Sequence, residues 1–224
     1  MTTLPKAFIF DLNGTIIDDM GYHAIAWENI VNNTLNAGLT FEQVKVQMYG
    51  KNEELLVRIF GEGKFSTEEM ASLSMQKEQQ YQATYRPIMK CIDGFETYAR
   101  LAFDHGITMA IGSAAIMFNI NFILDGLSLR PFFSAIVSAD DVAVSKPDPE
   151  TFLKAANQLG VLPEDCIVFE DAPKGVEAAA NAGMKCVVIT TMHPKQDFAS
   201  YDNILFFIED YTDQRLVSQL LSHN

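Results

Sequence analysis

Six short apolar runs, most of them separated by stretches of helical period, set the terms for this 224-residue chain. The first is Ala7-Phe8-Ile9-Phe10, which runs into Asp11 and the turn pair Asn13-Gly14; the others lie at 108–112, 135–138, 166–169, 185–189 and 204–208. A run that is apolar at nearly every position has no face to offer water. It therefore reads as a strand covered on both sides, as in a parallel sheet with crossover helices. Residues 148–159 and 174–182 fit such helices, each followed by a glycine, Gly160 or Gly183, where a left-handed cap is wanted, and a last helix is expected over 213–221. The fold class expected is α/β, with a doubly wound, Rossmann-like parallel sheet as its core.

One long segment breaks the alternation. From Asp18 to about Arg86 there is no convincing strand, and Ala26, Ile30, Val31 and Leu35 fall at helical spacing. Gly38, Gly50 and Gly61-Glu62-Gly63 punctuate it, and Thr40 and Ser66 stand where helices would start. The reading is an inserted domain of four helices at 18–87, hinged near 17–20 and 87–93, within a core domain made of 1–17 and 88–224.

Composition narrows the function classes. Sixteen Lys and Arg against 29 Asp and Glu give a net charge of −13, a field that repels phosphate backbones, so no nucleic-acid partner is expected. No run of about 18 apolar residues and no leader-like N-terminal stretch occurs, which predicts a cytoplasmic protein without a membrane partner. Cys91, Cys166 and Cys186 are odd in number and lack C-x-x-C spacing, so they read as reduced thiols. Oligomeric state is expected to be monomer or weak homodimer. An acidic protein that handles small anions needs local cations, either placed lysines or a bound metal.

Residues suited to both stand at the strand ends, where open parallel sheets bind ligands. The first strand ends in Asp11 and Asn13, the second in Gly112-Ser113; Lys146 follows the third, in Ser145-Lys146-Pro147-Asp148-Pro149, and the fourth ends in Glu170-Asp171. Three carboxylates at two strand ends, facing a lysine and a hydroxyl, make a hard-cation site beside an anion site. Mg²⁺ suits such a site best, because it takes a few carboxylates, keeps waters and bridges to phosphate.

In order and context, Asp11-Leu12-Asn13-Gly14-Thr15, Ser113, Lys146 and Glu170-Asp171 resemble the four motifs of the haloacid dehalogenase superfamily. With the helical insert after the first motif, the chain looks like the branch of phosphatases and β-phosphoglucomutases that carry a helical cap. The resemblance implies Asp11 as a nucleophile that becomes an aspartyl phosphate, and Ser113 and Lys146 as holders of the transferring phosphoryl group. It implies a Mg²⁺ cofactor on Asp11, the backbone carbonyl of Asn13, Asp171 and nearby Glu170. Substrate contacts are implied at Gly14, Thr15, Gly112 and Ala114, with His23, Lys51 and Lys77 contributed by the cap.

Residue 13 departs from the family pattern, which has an aspartate there as general acid and base. An amide cannot exchange a proton in that role near neutral pH. Three readings stay open: a substitution introduced to trap a substrate, a natural member with weak or lost activity, or an active enzyme that uses another acid. Glu53 stands where the mutases carry an arginine for a second phosphate, which argues against a mutase. The expected function is hydrolysis of small phosphorylated metabolites such as sugar phosphates, with activity weakened by Asn13. The alternatives are a β-phosphoglucomutase and a catalytically silent member that binds a phosphorylated ligand or a protein partner.

Overall fold

The computed structural model describes residues 4–222; the outermost residues at each end, including the start of the stretch read above as lacking a leader, lie outside the described residues. The chain forms two compact units, Asp19–Met89 and the segments that flank it, up to Asp18 and from Lys90 onward.

The flanking unit is built on six parallel strands, β1 (Ala7–Phe10), β2 (Thr108–Gly112), β3 (Ala135–Val137), β4 (Cys166–Glu170), β5 (Lys185–Ile189) and β6 (Ile204–Ile208). Their order across the sheet is β3-β2-β1-β4-β5-β6. From β1 the chain winds outward through β2 to β3, then returns to lay β4 on the other side of β1, with Ala7 beside both Thr108 and Cys166. The β1–β4 boundary is thus the point where winding direction reverses, and the crevice above it is the natural ligand position.

The double coverage predicted for β1 is explicit. Ala7 and Ile9 face Phe152 and Ala155 of one helix (Glu150–Leu159) and Val176 and Ala179 of another (Pro173–Asn181), all buried. Phe8 and Phe10 turn the other way, into an aromatic layer: Phe10 stacks on Phe169 at 4.5 Å and meets Phe95 of helix Phe95–Asp104 edge-on at 5.5 Å. Tyr98 and Tyr211 complete that layer, with ring centroids 5.8 Å apart.

The other unit is helical. In chain order the α-helices are α1 (Met20–Glu28), α2 (Phe41–Lys45), α3 (Asn52–Phe60) and α4 (Thr67–Tyr85), and α1 runs on as a π-helix through Thr34. Thr40 and Ser66 start α2 and α4 as read from the sequence: each hydroxyl accepts the amide three residues on, and Gln43 or Glu69 reaches back to the capping residue's own N–H. Trp27, Ile30, Val31, Val44, Leu55 and Leu56 form its apolar centre. The helices after the insert are α5 (Phe95–Asp104), α6 (Met117–Gly126), α7 (Glu150–Leu159), α8 (Pro173–Asn181) and α9 (Gln214–Leu220). Among the described residues, no helix is long and apolar enough to cross a membrane.

Candidate active site

Asp11 is the first residue past β1, and its amide still donates to Phe169 O of β4 at 2.9 Å. That extra rung fixes the residue at the carboxyl edge of the sheet, between β1 and β4. Lys146 Nζ reaches it from the loop before α7, donating to Asp11 Oδ1 at 2.7 Å and to Glu170 Oε1 at 2.8 Å. All three side chains are buried, and the Lys146 ammonium also lies 4.6 Å from the Phe152 ring centre. Burial alone would lower the lysine's pKa, but the carboxylates of Asp11 and Glu170 more than offset it and hold the proton firmly. Burial pushes Asp11 up to about 6; Lys146 works against that rise, and the charge on Glu170 adds to it.

The expectation grouped Glu170 with the cation ligands, yet both its oxygens have other work here. Oε1 accepts from Lys146, and Oε2 accepts the backbone N–H groups of Asp171 and Ala172, each at 2.8 Å. Gly175, in the first turn of α8, makes room for this: a Cβ there would lie 1.8 Å from Glu170 Oε1. Glu170 therefore orients Lys146 and ties β4 to the start of α8.

Asp171 sits on the opposite side of the first loop. Its Oδ1 accepts from Thr15 at 3.3 Å, and its Oδ2 would lie 2.0 Å from any Cβ at Gly14, a residue already at φ +76°. Only glycine satisfies both constraints. Burial, then the charges on Glu170 and Asp11, raise the Asp171 pKa well above that of an ordinary carboxyl. The loop is pinned from outside as well: Thr191, just past β5, donates to Gly14 O at 2.6 Å, and Tyr211 donates to Thr15 O at 3.0 Å. Sequence reasoning missed both; for Thr191, its place at a strand's carboxyl end was the available signal. Asn13 is half-buried at the start of this turn, bridged to Ile17.

Ser113 extends β2, its amide bonded to Val137 O at 3.0 Å. Its buried hydroxyl accepts from Ala115 N at 3.1 Å, which leaves the O–H as the donor for an anion. Gly112 packs tightly below it, where a Cβ would come within 3.1 Å of Phe152, and Ala114 is exposed above.

Among the described residues, no group of three or more His, Cys, Asp or Glu is arranged to hold a metal ion. With Glu170 committed elsewhere, the carboxylates available to a cation are Asp11 and Asp171, beside the Asn13 carbonyl. Both are buried carboxylates whose proton affinity burial and the charge on Glu170 raise, with Asp11 adding to the rise at Asp171, and such a site is one a hard dication would relieve. An oxygen-only set with so few protein ligands suits Mg²⁺ better than Ca²⁺ or Zn²⁺.

The cap-side candidates lie in the helical unit. His23 and Lys77 do come together, Lys77 Nζ standing 2.6 Å from His23 Nδ1. Lys77 is no surface charge: it is 3 % exposed, ion-paired to Glu78 at 3.0 Å and 5.4 Å from the Trp27 ring. Burial lowers its pKa, against the pull of Glu78. Asn52 donates to Glu78 at 2.7 Å, while Tyr81 stacks on His23 at 3.7 Å and donates to Asp19 at 2.5 Å. Asp19, Asn52, Glu78 and Tyr81 had no motif to betray them. Lys51 is half-buried at the start of α3, its amide bonded to Glu54, and Glu53 lies in that helix's first turn.

A family model described as haloacid dehalogenase-like hydrolase matches residues 5–183. A β-phosphoglucomutase from Bacillus subtilis is 34% identical over 196 residues, 84% of this chain and 85% of that protein. The fructose-1-phosphate phosphatase of Escherichia coli is 31% identical over 181 residues, 80% of this chain and 93% of its own length. Among solved structures, a β-phosphoglucomutase from Clostridium difficile superposes with a TM-score of 0.84 over 97% of each chain at 24% identity, a likeness of fold.

Proposed function

Because this chain belongs to the haloacid dehalogenase-like hydrolases, we propose that it is a phosphatase of small phosphorylated metabolites such as sugar phosphates, dependent on Mg²⁺ and working through a phosphoryl group carried on Asp11. The observation that carries this reading is the buried Asp11–Lys146–Glu170 contact at the sheet's switch point, with the Ser113 hydroxyl at the next strand end. Asp11 supplies the attacking oxygen. Lys146, fixed by Glu170, offsets the negative charge of the group being transferred, and Ser113 donates to one of its oxygens. Thr15 and Gly14 hold Asp171 against the loop that carries Asp11. Mg²⁺ bound by Asp11, Asp171 and the Asn13 carbonyl would screen the nucleophile from the phosphate it attacks.

The phosphatase relatives support the substrate class, and Glu53 in place of a cation argues against a sugar bisphosphate. Asn13 favours a second reading, a silent phospholigand-binding member. A steady-state screen against phosphorylated metabolites, with Mg²⁺ and with chelator, tests the proposal. Metal-dependent turnover that Asp11→Ala abolishes is expected; saturable binding of a phosphorylated ligand with no turnover of any substrate would instead favour the silent member.

A further inference from the structure

Asp11, the Asn13 carbonyl and Asp171 all stand on or against one short loop, residues 11–17, and that loop is held peptide by peptide. The N–H of Gly14 shares a peptide plane with the Asn13 carbonyl; it donates to Ile17 O at 2.7 Å and so fixes which way that carbonyl faces. In the next peptide, Thr191 Oγ1 donates to Gly14 O at 2.6 Å, and Thr15 N–H donates to Leu12 O at 3.4 Å. In the one after, the Tyr211 hydroxyl donates to Thr15 O at 3.0 Å, and Ile16 N–H donates to Leu12 O at 2.8 Å. Ile92 N–H closes the series on Ile16 O at 2.8 Å.

The two side chains that hold these carbonyls are themselves fixed. Thr191 follows Thr190, whose N–H is bonded to Ile208 O of β6 at 3.0 Å. The buried Tyr211 ring packs on Phe95 at 5.0 Å and Tyr98 at 5.8 Å, and its amide donates to Asp93 O at 2.9 Å. Gly94 leaves room for that backbone, since a Cβ there would lie 2.7 Å from the Tyr211 carbonyl carbon.

Resting on the Mg²⁺ reading above, we infer that Thr191 and Tyr211 are positioning residues that set which cation the site accepts, selecting Mg²⁺ over Ca²⁺ by keeping the ligand loop from widening. Mg²⁺ demands a near-octahedral shell at about 2.0–2.1 Å, whereas Ca²⁺ takes irregular shells at about 2.3–2.6 Å. A loop whose peptide planes are pinned presents its oxygens at one spacing, and a loop freed at two carbonyls gives way to the larger ion. Both hydroxyls act at one remove, through Gly14 and Thr15, the residues against which Asp171 rests.

Calorimetric titration of the full-length protein with MgCl₂ and with CaCl₂ reads the two affinities with no substrate present. Excess potassium chloride screens the acidic surface, and Asp11→Asn marks the heat that belongs to this site. Thr191→Val and Tyr211→Phe each delete one donor and keep the shape. Each should weaken Mg²⁺ binding at least about tenfold and change Ca²⁺ binding less than about threefold, so that the preference for Mg²⁺ narrows. Thr191→Ser keeps the donor and should restore both affinities. Equal losses for the two ions, no change in either, or an unaltered protein without preference would overturn the inference and leave the Mg²⁺ reading standing. If no Mg²⁺ binding depends on Asp11, both fall. Thr191 is half-buried, so Thr191→Val decides the outcome even where Tyr211→Phe does not fold.

Discussion

Gly175 opposes two effects that are usually kept apart. In a helix interior, replacing glycine by alanine stabilises by roughly 0.5–1 kcal/mol, because the unfolded chain loses freedom. Here the new methyl would lie 1.8 Å from Glu170 Oε1, the atom that holds Lys146 at 2.8 Å. The clash is with a buried carboxylate pinned by two amides, so it cannot swing aside without leaving a charge unpaired. Gly175→Ala should therefore lower thermal stability, against the helix-propensity trend, and cut turnover at least about tenfold through a displaced Lys146. A rise in Tm with unchanged turnover would show that Glu170 is free to move. A helix over 174–182 and the Glu170-Asp171 pair were visible in the sequence, but the purpose of Gly175 was not: which way Glu170 points depends on where β4 ends and the turn begins.

At the level of elements, the strands were legible and the polar interior of the helical unit was not. Each strand of a doubly covered parallel sheet is an apolar run, so its pattern needs no partner to be recognised. Helix α4 has the opposite character. The sequence marks Lys77 only through the resemblance, as a substrate contact, and marks Glu78 not at all; both are 3 % exposed, and their partners His23 and Asn52 come from α1 and α3. Local pattern cannot reveal a buried ion pair whose further hydrogen-bond partners stand 54 and 26 positions away. Such a cluster is fragile to partial removal: taking away one member of a buried pair leaves the other charged and dry, at about 3–5 kcal/mol. Lys77→Met should accordingly lower the stability of the helical unit by about that amount in urea, and adding Glu78→Leu should restore part of it. If Lys77→Met costs less than about 1 kcal/mol, the pair is solvated in solution.

Across the whole molecule the net charge of −13 makes every buried carboxylate a stability problem as well as a chemical resource. Burial, with a smaller contribution from Glu170, lifts the Asp11 pKa from 3.8 to about 6 despite Lys146, so the folded chain binds this proton more tightly than the unfolded chain. Between those two values stability must fall as pH rises, and above about 6 the cost is complete. Asp171 is shifted in the same direction. A cation held by these two ionised groups relieves that cost, and it binds only where they are ionised. Mg²⁺ at about 100 times its dissociation constant should add ~2.7 kcal/mol. In a protein of this size that is roughly 5–10 °C in Tm. The gain should be full above about pH 7 and vanish below about pH 4. Potassium chloride at matched ionic strength separates site binding from simple screening of the acidic surface. Asp11→Asn should raise the metal-free Tm at neutral pH, since it removes a buried charge while leaving Lys146 paired to Glu170, and should abolish most of the Mg²⁺ increment. An increment that survives in Asp11→Asn, or that is equal at both ends of the pH range, would assign the cation to another part of the molecule.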